Sequence, residues 1–127
     1  MRCDYLPYCL PSIGEDEVRE VVDSLRSGWI TTGPKVKRFE KDFASYAGAR
    51  HAIAVSSCTA ALHLALAARD IGPGDEVIVP TLTFCATANV VVHTGARPVL
   101  VDVNERCQID PETVARAITP RTRAILA

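Results

Sequence analysis

HAIAVSSCTAALHLALA, residues 51–67, and DIGPGDEVIVP, residues 70–80, decide how the fold is read. In the first, Ala52-Ile53-Ala54-Val55 is a short apolar run stopped by Ser56-Ser57, and the almost uniformly apolar Ala60 to Ala68 follows it. A buried strand leading into a buried helix is the natural expectation, because neither segment carries a polar face. In the second, Asp70 to Asp75 is rich in turn formers, and Glu76-Val77-Ile78-Val79-Pro80 has strand composition. The same alternation continues downstream. A helix is predicted over 84–93, stopped at Gly95, then a strand over 98–103, a helix opened by Asp110-Pro111 to about Ile118, and a fourth strand over 123–127. Strands alternating with helices predict an α/β domain with a largely parallel sheet and right-handed crossovers.

Upstream the period changes to that of amphipathic helices. Val18, Val21, Val22 and Leu25 recur at helical spacing between a capping box read at Ser12 to Glu15 and a stop at Gly28. After the turn-like Trp29-Ile30-Thr31-Thr32-Gly33, Pro34 suits a first helical position, and Val36, Phe39, Phe43 and Tyr46 form a second stripe ending near Gly48. The division expected is therefore a helical segment with its loop over 1–50, and the first part of an α/β domain over 51–127.

With 127 residues, 48% of them hydrophobic, there is enough apolar material for a buried core. The formal net charge of −1, with both signs interspersed, leaves no footprint for nucleic acid or an anionic membrane surface. Small molecules are the expected partners. The first 17 residues lack the basic start and apolar run of a secretory signal, and no segment approaches membrane-spanning length. Five cysteines, Cys3, Cys9, Cys58, Cys85 and Cys107, contain no CxxC pair, which points to reduced thiols and a cytoplasmic setting. His51, His63 and His93 show no metal-ligand spacing, so packing or surface positions are expected for them and no metal site is assigned.

Chemistry is most legible at Ser56-Ser57-Cys58-Thr59-Ala60, where small and hydroxyl-bearing residues sit between a strand end and a helix start. Backbone N–H groups and the positive end of the helix dipole converge in such a turn, and small side chains let a phosphate approach. The plainer alternative is that Ser57 or Thr59 only caps the helix. No G-x-G-x-x-G follows the strand and no Gly-Lys phosphate loop occurs, which argues against a dinucleotide or P-loop nucleotide site. Phe84, just past the second strand, could stack on a planar ring held in the turn, or it could be an ordinary core aromatic.

Several stretches in one order carry a resemblance: GWITTGP at 28–34 with Phe39-Glu40, SSCTAALHLAL at 56–66, GPGDEVIVP at 72–80 and FCATAN at 84–89. Together they are similar to the DegT/DnrJ/StrS aminotransferases over essentially the whole chain. The resemblance implies the large domain of the aspartate-aminotransferase fold (PLP fold type I), here its N-terminal part preceded by two helices. It implies pyridoxal 5'-phosphate (PLP) as cofactor, an amino-acid donor, usually glutamate, a nucleotide-linked keto-sugar as acceptor, and a homodimer of complete chains. By position, Ser57, Cys58, Thr59 and Ala60 resemble the phosphate-binding turn, with Cys58 where many relatives have glycine. Phe84 resembles the aromatic that stacks on the pyridine ring, and Trp29, Thr31 and Thr32 resemble a loop near the substrate mouth, although that tight turn could serve only to join two helices.

Catalysis needs more. PLP works as an electron sink once an amine condenses with its aldehyde, and a lysine ordinarily supplies the resting partner. The only lysines, Lys35, Lys37 and Lys41, lie between the stripe positions of the second helix, where a solvated face accounts for them. No catalytic residue is therefore assigned, and this chain by itself is expected not to turn over. Asp102, at a strand end, does not match the position that holds the pyridine nitrogen in the family. Two other readings stay within the fold: a sugar dehydratase, in which relatives carry histidine at the lysine position, and a non-catalytic interaction protein. The resemblance also separates His51 to Ser56 from the other strands of this chain, so open apolar sheet surface is expected to cause aggregation or dependence on another chain.

Overall fold

The computed structural model describes residues 9–127; Cys3 and the start of the segment compared with a signal peptide lie outside the described residues. The chain divides into two units, Met1–Ala54 and Val55–Ala127.

In the first unit, α1 spans Glu15–Ser27 and α2 spans Pro34–Tyr46. The N-cap of α1 is Gly14 and not Ser12, because the Glu17 carboxylate reaches back to accept the Gly14 amide at 2.6 Å. Gly28 ends the helix at φ 76°, the left-handed conformation that favours glycine. Pro34 occupies the first turn of α2 as expected, where a missing N–H costs nothing. Lys35 Nζ ties the two helices by bonding Glu20 Oε2 at 2.6 Å and Asp23 Oδ2 at 2.9 Å.

The second unit holds α3 (Cys58–Ala67), β1 (Glu76–Pro80), α4 (Ala86–His93), β2 (Arg97–Val101), α5 (Pro111–Ala117) and β3 (Thr122–Ile125). Its sheet is wholly parallel with order β2-β1-β3, so β1 is central. All five residues of β1 are buried, as a strand flanked on both edges requires. Val77 and Val79 join Leu66, Val90 and Val91 in the core, while Ile78, of opposite pleat, is equally inaccessible. The Asp70–Asp75 turn is closed by Asp75, whose amide donates to Gly72 O at 3.0 Å and whose carboxylate accepts the Gly72 amide at 3.1 Å. Asp110 caps α5 by accepting from the Glu112 and Thr113 amides at 2.9 and 3.0 Å.

Two expectations are corrected. Residues 52–55 form no strand, and Ile53 is 81% exposed. The segment has no sheet partner among the described residues; the Ala54 amide instead donates to Glu40 Oε1 on α2 at 2.9 Å. Nor is α3 a buried helix, since Leu66 is its single buried residue. An apolar composition marked surface that wants a cover, and within this chain α3 meets only part of one, chiefly α4.

Candidate functional site

Small residues at the start of α3 form one candidate element. Ser57 is extended, at φ −161° and ψ 160°, and its hydroxyl accepts the Ala60 amide at 3.1 Å. The capping expected of Ser57 is thus present. It does not use up the turn, because helix geometry leaves the Cys58 and Thr59 amides without an intrahelical acceptor. No hydrogen bond among the described residues takes them up. Ser57, Cys58 and Thr59 are exposed and Ala60 half-buried, so these donors face an approachable surface. Two free amides at the positive end of a ten-residue helix can hold a phosphate.

Another candidate element follows β1. Phe84 lies on the short loop between β1 and α4 and is 76% exposed, so it is not the ordinary core aromatic that composition alone allowed. Hydroxyls frame this loop. Thr83 and Thr87 share a hydrogen bond at 2.9 Å, and Thr81 Oγ1 donates to Asp102 Oδ1 at 3.1 Å. Asp102 Oδ1 also accepts the Val103 amide at 2.9 Å, so this carboxylate is engaged in joining the ends of β1 and β2. Those threonine contacts were missed in the sequence, although the alternating Thr81-Leu82-Thr83 was the visible signal. The structure also brings His63 and His93 together, their rings 6.2 Å apart and edge-on, as a contact between α3 and α4.

Trp29, Thr31 and Thr32 belong to the first unit, on the turn between α1 and α2. Trp29 and Thr31 line a cavity of about 450 Å³ with Val21, Leu25 and Pro34; Thr32 stands outside that lining. Trp29 packs directly on Gly33, where a Cβ would come within 3.0 Å of the indole Cε3. That close approach gives the glycine a reason sequence reading did not find.

All three lysines lie on α2. Lys35 is hydrogen-bonded first to Glu20 and then to Asp23, which raises its pKa and keeps it a protonated, non-nucleophilic ammonium. Lys37 and Lys41 are exposed on the same helix.

The model of the DegT/DnrJ/EryC1/StrS aminotransferase family matches residues 11–127. Spore coat polysaccharide biosynthesis protein SpsC of Bacillus subtilis (strain 168) is 56% identical over 126 residues, which are 98% of this chain and 32% of that protein. Among solved structures, Spr1654 from Streptococcus pneumoniae, a proposed sugar aminotransferase in its PLP form, is 45% identical with a TM-score of 0.88, over 94% of this chain and 31% of its own. The aminotransferase from Psychrobacter cryohalolentis is 41% identical with a TM-score of 0.85, over the same shares. This chain therefore spans about a third of the length of these relatives.

Proposed function

The chain belongs to the DegT/DnrJ/EryC1/StrS aminotransferase family, and from that premise we propose that it supplies the PLP-binding turn of an enzyme that aminates a nucleotide-linked keto-sugar, with an amino acid, glutamate foremost, as donor. One observation carries the reading: a helix start with two unengaged amides, small side chains and an exposed aromatic on the next strand-to-helix loop. These residues fit PLP. The Cys58 and Thr59 amides would take phosphate oxygens, Ser57 would hold the turn in shape through its cap to Ala60, and Phe84 would offer a face to the pyridine ring.

When bound, PLP supplies an electron sink that lets an amino group leave one carbon skeleton and join another. The residues of this chain bind and orient. Trp29, Thr31 and Thr32 are assigned to the substrate mouth, and the amine that holds the resting cofactor is assigned to none of the present lysines. A homodimer in the cytoplasm completes the proposal; among the described residues no helix is long and apolar enough to cross a membrane.

The test is a titration of the protein with PLP followed by absorbance and thermal shift, then an assay with glutamate and a keto-sugar nucleotide. Stabilisation that grows with PLP concentration is expected. For the 127-residue chain alone no turnover is expected. Turnover by that chain would overturn the assignment of the lysines, and absence of any PLP-linked stabilisation in the protein that carries this chain would overturn the cofactor turn.

A further inference from the structure

Glu76 is the one buried charged residue among the described residues, at 3% exposure, and it lies at the end of β1 away from Phe84. A carboxylate taken from water needs partners on both oxygens, and it has them. Oε1 accepts from Arg121 Nη2 at 2.7 Å and Nε at 3.2 Å, and Oε2 accepts from the Thr119 hydroxyl at 2.6 Å. The Glu76 amide completes the connection by donating to Arg121 O at 2.8 Å. All these contacts reach one short turn, residues 119–122, which leads into β3. That turn is itself closed by Thr122 N to Thr119 O at 3.0 Å and Thr119 N to Thr122 Oγ1 at 2.9 Å.

Beside this carboxylate the register of the β1–β3 pair slips. Glu76 stands opposite Thr122, but Val77 stands opposite Ala124, so Arg123 is an extra residue in the ladder. The β1–β2 pair runs without a slip from Glu76 with Arg97 to Pro80 with Val101. Ala124 and Leu126 pack against the core while Arg123 and Ile125 are exposed, so this alternation sets which face of β3 turns inward, and the ionic anchor at Glu76 sits where the ladder takes up the extra residue.

We propose that the Glu76 carboxylate is an acid-sensitive latch for β3: ionised, it holds the 119–122 turn beside the Arg123 bulge; protonated, it loosens the pairing of β3 with β1 while β1 and β2 stay paired. The charged groups facing it are Arg121 from the turn, Arg97 from β2 at 3.7 Å, and Asp75, whose carboxylate is engaged by the Gly72 amide. Both arginines lose their counter-charge when it protonates. The Thr119 hydroxyl first, then Arg121, hold its pKa below the ordinary carboxylate value. A lowered folded-state pKa stabilises above the unfolded value, and the latch is lost as pH falls through the folded one.

Hydrogen exchange read peptide by peptide in the protein carrying this chain tests the latch. In Glu76→Gln at neutral pH, protection of the Leu126 amide, which bonds Ile78 O, is expected to fall at least tenfold, while the Thr81 amide, which bonds Val101 O, changes less than threefold. Thr119→Val, which removes the hydroxyl's bonds to Glu76 and from the Arg121 amide but keeps the carboxylate's charge and its arginine, should shift the same amide in the same direction by less. Unchanged protection at Leu126 in both variants would overturn the proposal, and so would equal loss at Leu126 and Thr81, which would make Glu76 a requirement of the whole sheet.

Discussion

Ser57 and Phe84 make opposite predictions because one is engaged and the other is not. Ser57→Ala removes the acceptor of the Ala60 amide, and loss of an N-cap of this kind costs about 1 kcal/mol, measurable by urea unfolding. Phe84→Ala should leave stability within about 0.5 kcal/mol, since the ring is mostly solvent-exposed. It should weaken PLP binding several-fold, the scale of an aromatic contact worth on the order of 1 kcal/mol. A large stability loss in Phe84→Ala with unaltered PLP affinity would return it to a packing role. Gly95 is a third case. Its φ of 82° and the 3.0 Å approach of Pro73 Cγ to a built Cβ predict that Gly95→Ala costs about 1 kcal/mol or more in the same measurement.

The α1–α2 pair is held in part by Lys35, and its pH response has two limits. Hydrogen bonds from Lys35 hold Glu20 and Asp23 below the ordinary carboxylate range, so their contribution is complete above the unfolded carboxylate values and fades as pH falls through the folded ones. Lys35 is raised, so its contribution is complete below the unfolded lysine value, about 10.4, and fades as pH rises through the folded one. Circular dichroism should therefore show helix loss at both extremes, with added salt weakening the association at neutral pH. A profile flat in pH and salt would mean that the apolar stripes alone hold the pair. Helices α1, α2 and α4 and the buried run of β1 were legible because composition, period and punctuation agree there. Gly28, Pro34 and Gly95 mark boundaries that the structure keeps. The Ser12 cap failed because a glycine amide can be served by Glu17 without any capping side chain. Strand 52–55 failed because β character is realised only with a neighbour, and Glu40 is a single acceptor. The Ser57 cap of α3 was legible from its hydroxyl at a strand-to-helix junction, whereas the Trp29 contact with Gly33 and the threonine bonds at the ends of β1 and β2 depend on distances no local pattern encodes.

Across the chain, apolar side chains remain in water on both units. Val21, Leu25 and Phe39 are exposed on the first, and Leu64, Val92 and Leu100 on the second. Such surface is more than isolated soluble domains usually leave open. Size-exclusion chromatography with light scattering should find the 127-residue chain self-associating as concentration rises, and a hydrophobic dye should bind it. A dilution-stable monomer without dye binding would remove that expectation. Sheet order adds a constraint in time. The second partner of β1 is encoded at residues 122–125, well after β1 itself at 76–80, with β2 in between. At a synthesis rate of about 5–20 residues per second, the nascent chain can zip β1 to β2 and then waits on the order of seconds before the other flank can close. During that interval a strand destined for the middle of the domain is translated as an open border, which is where a ribosome-associated chaperone would find its grip.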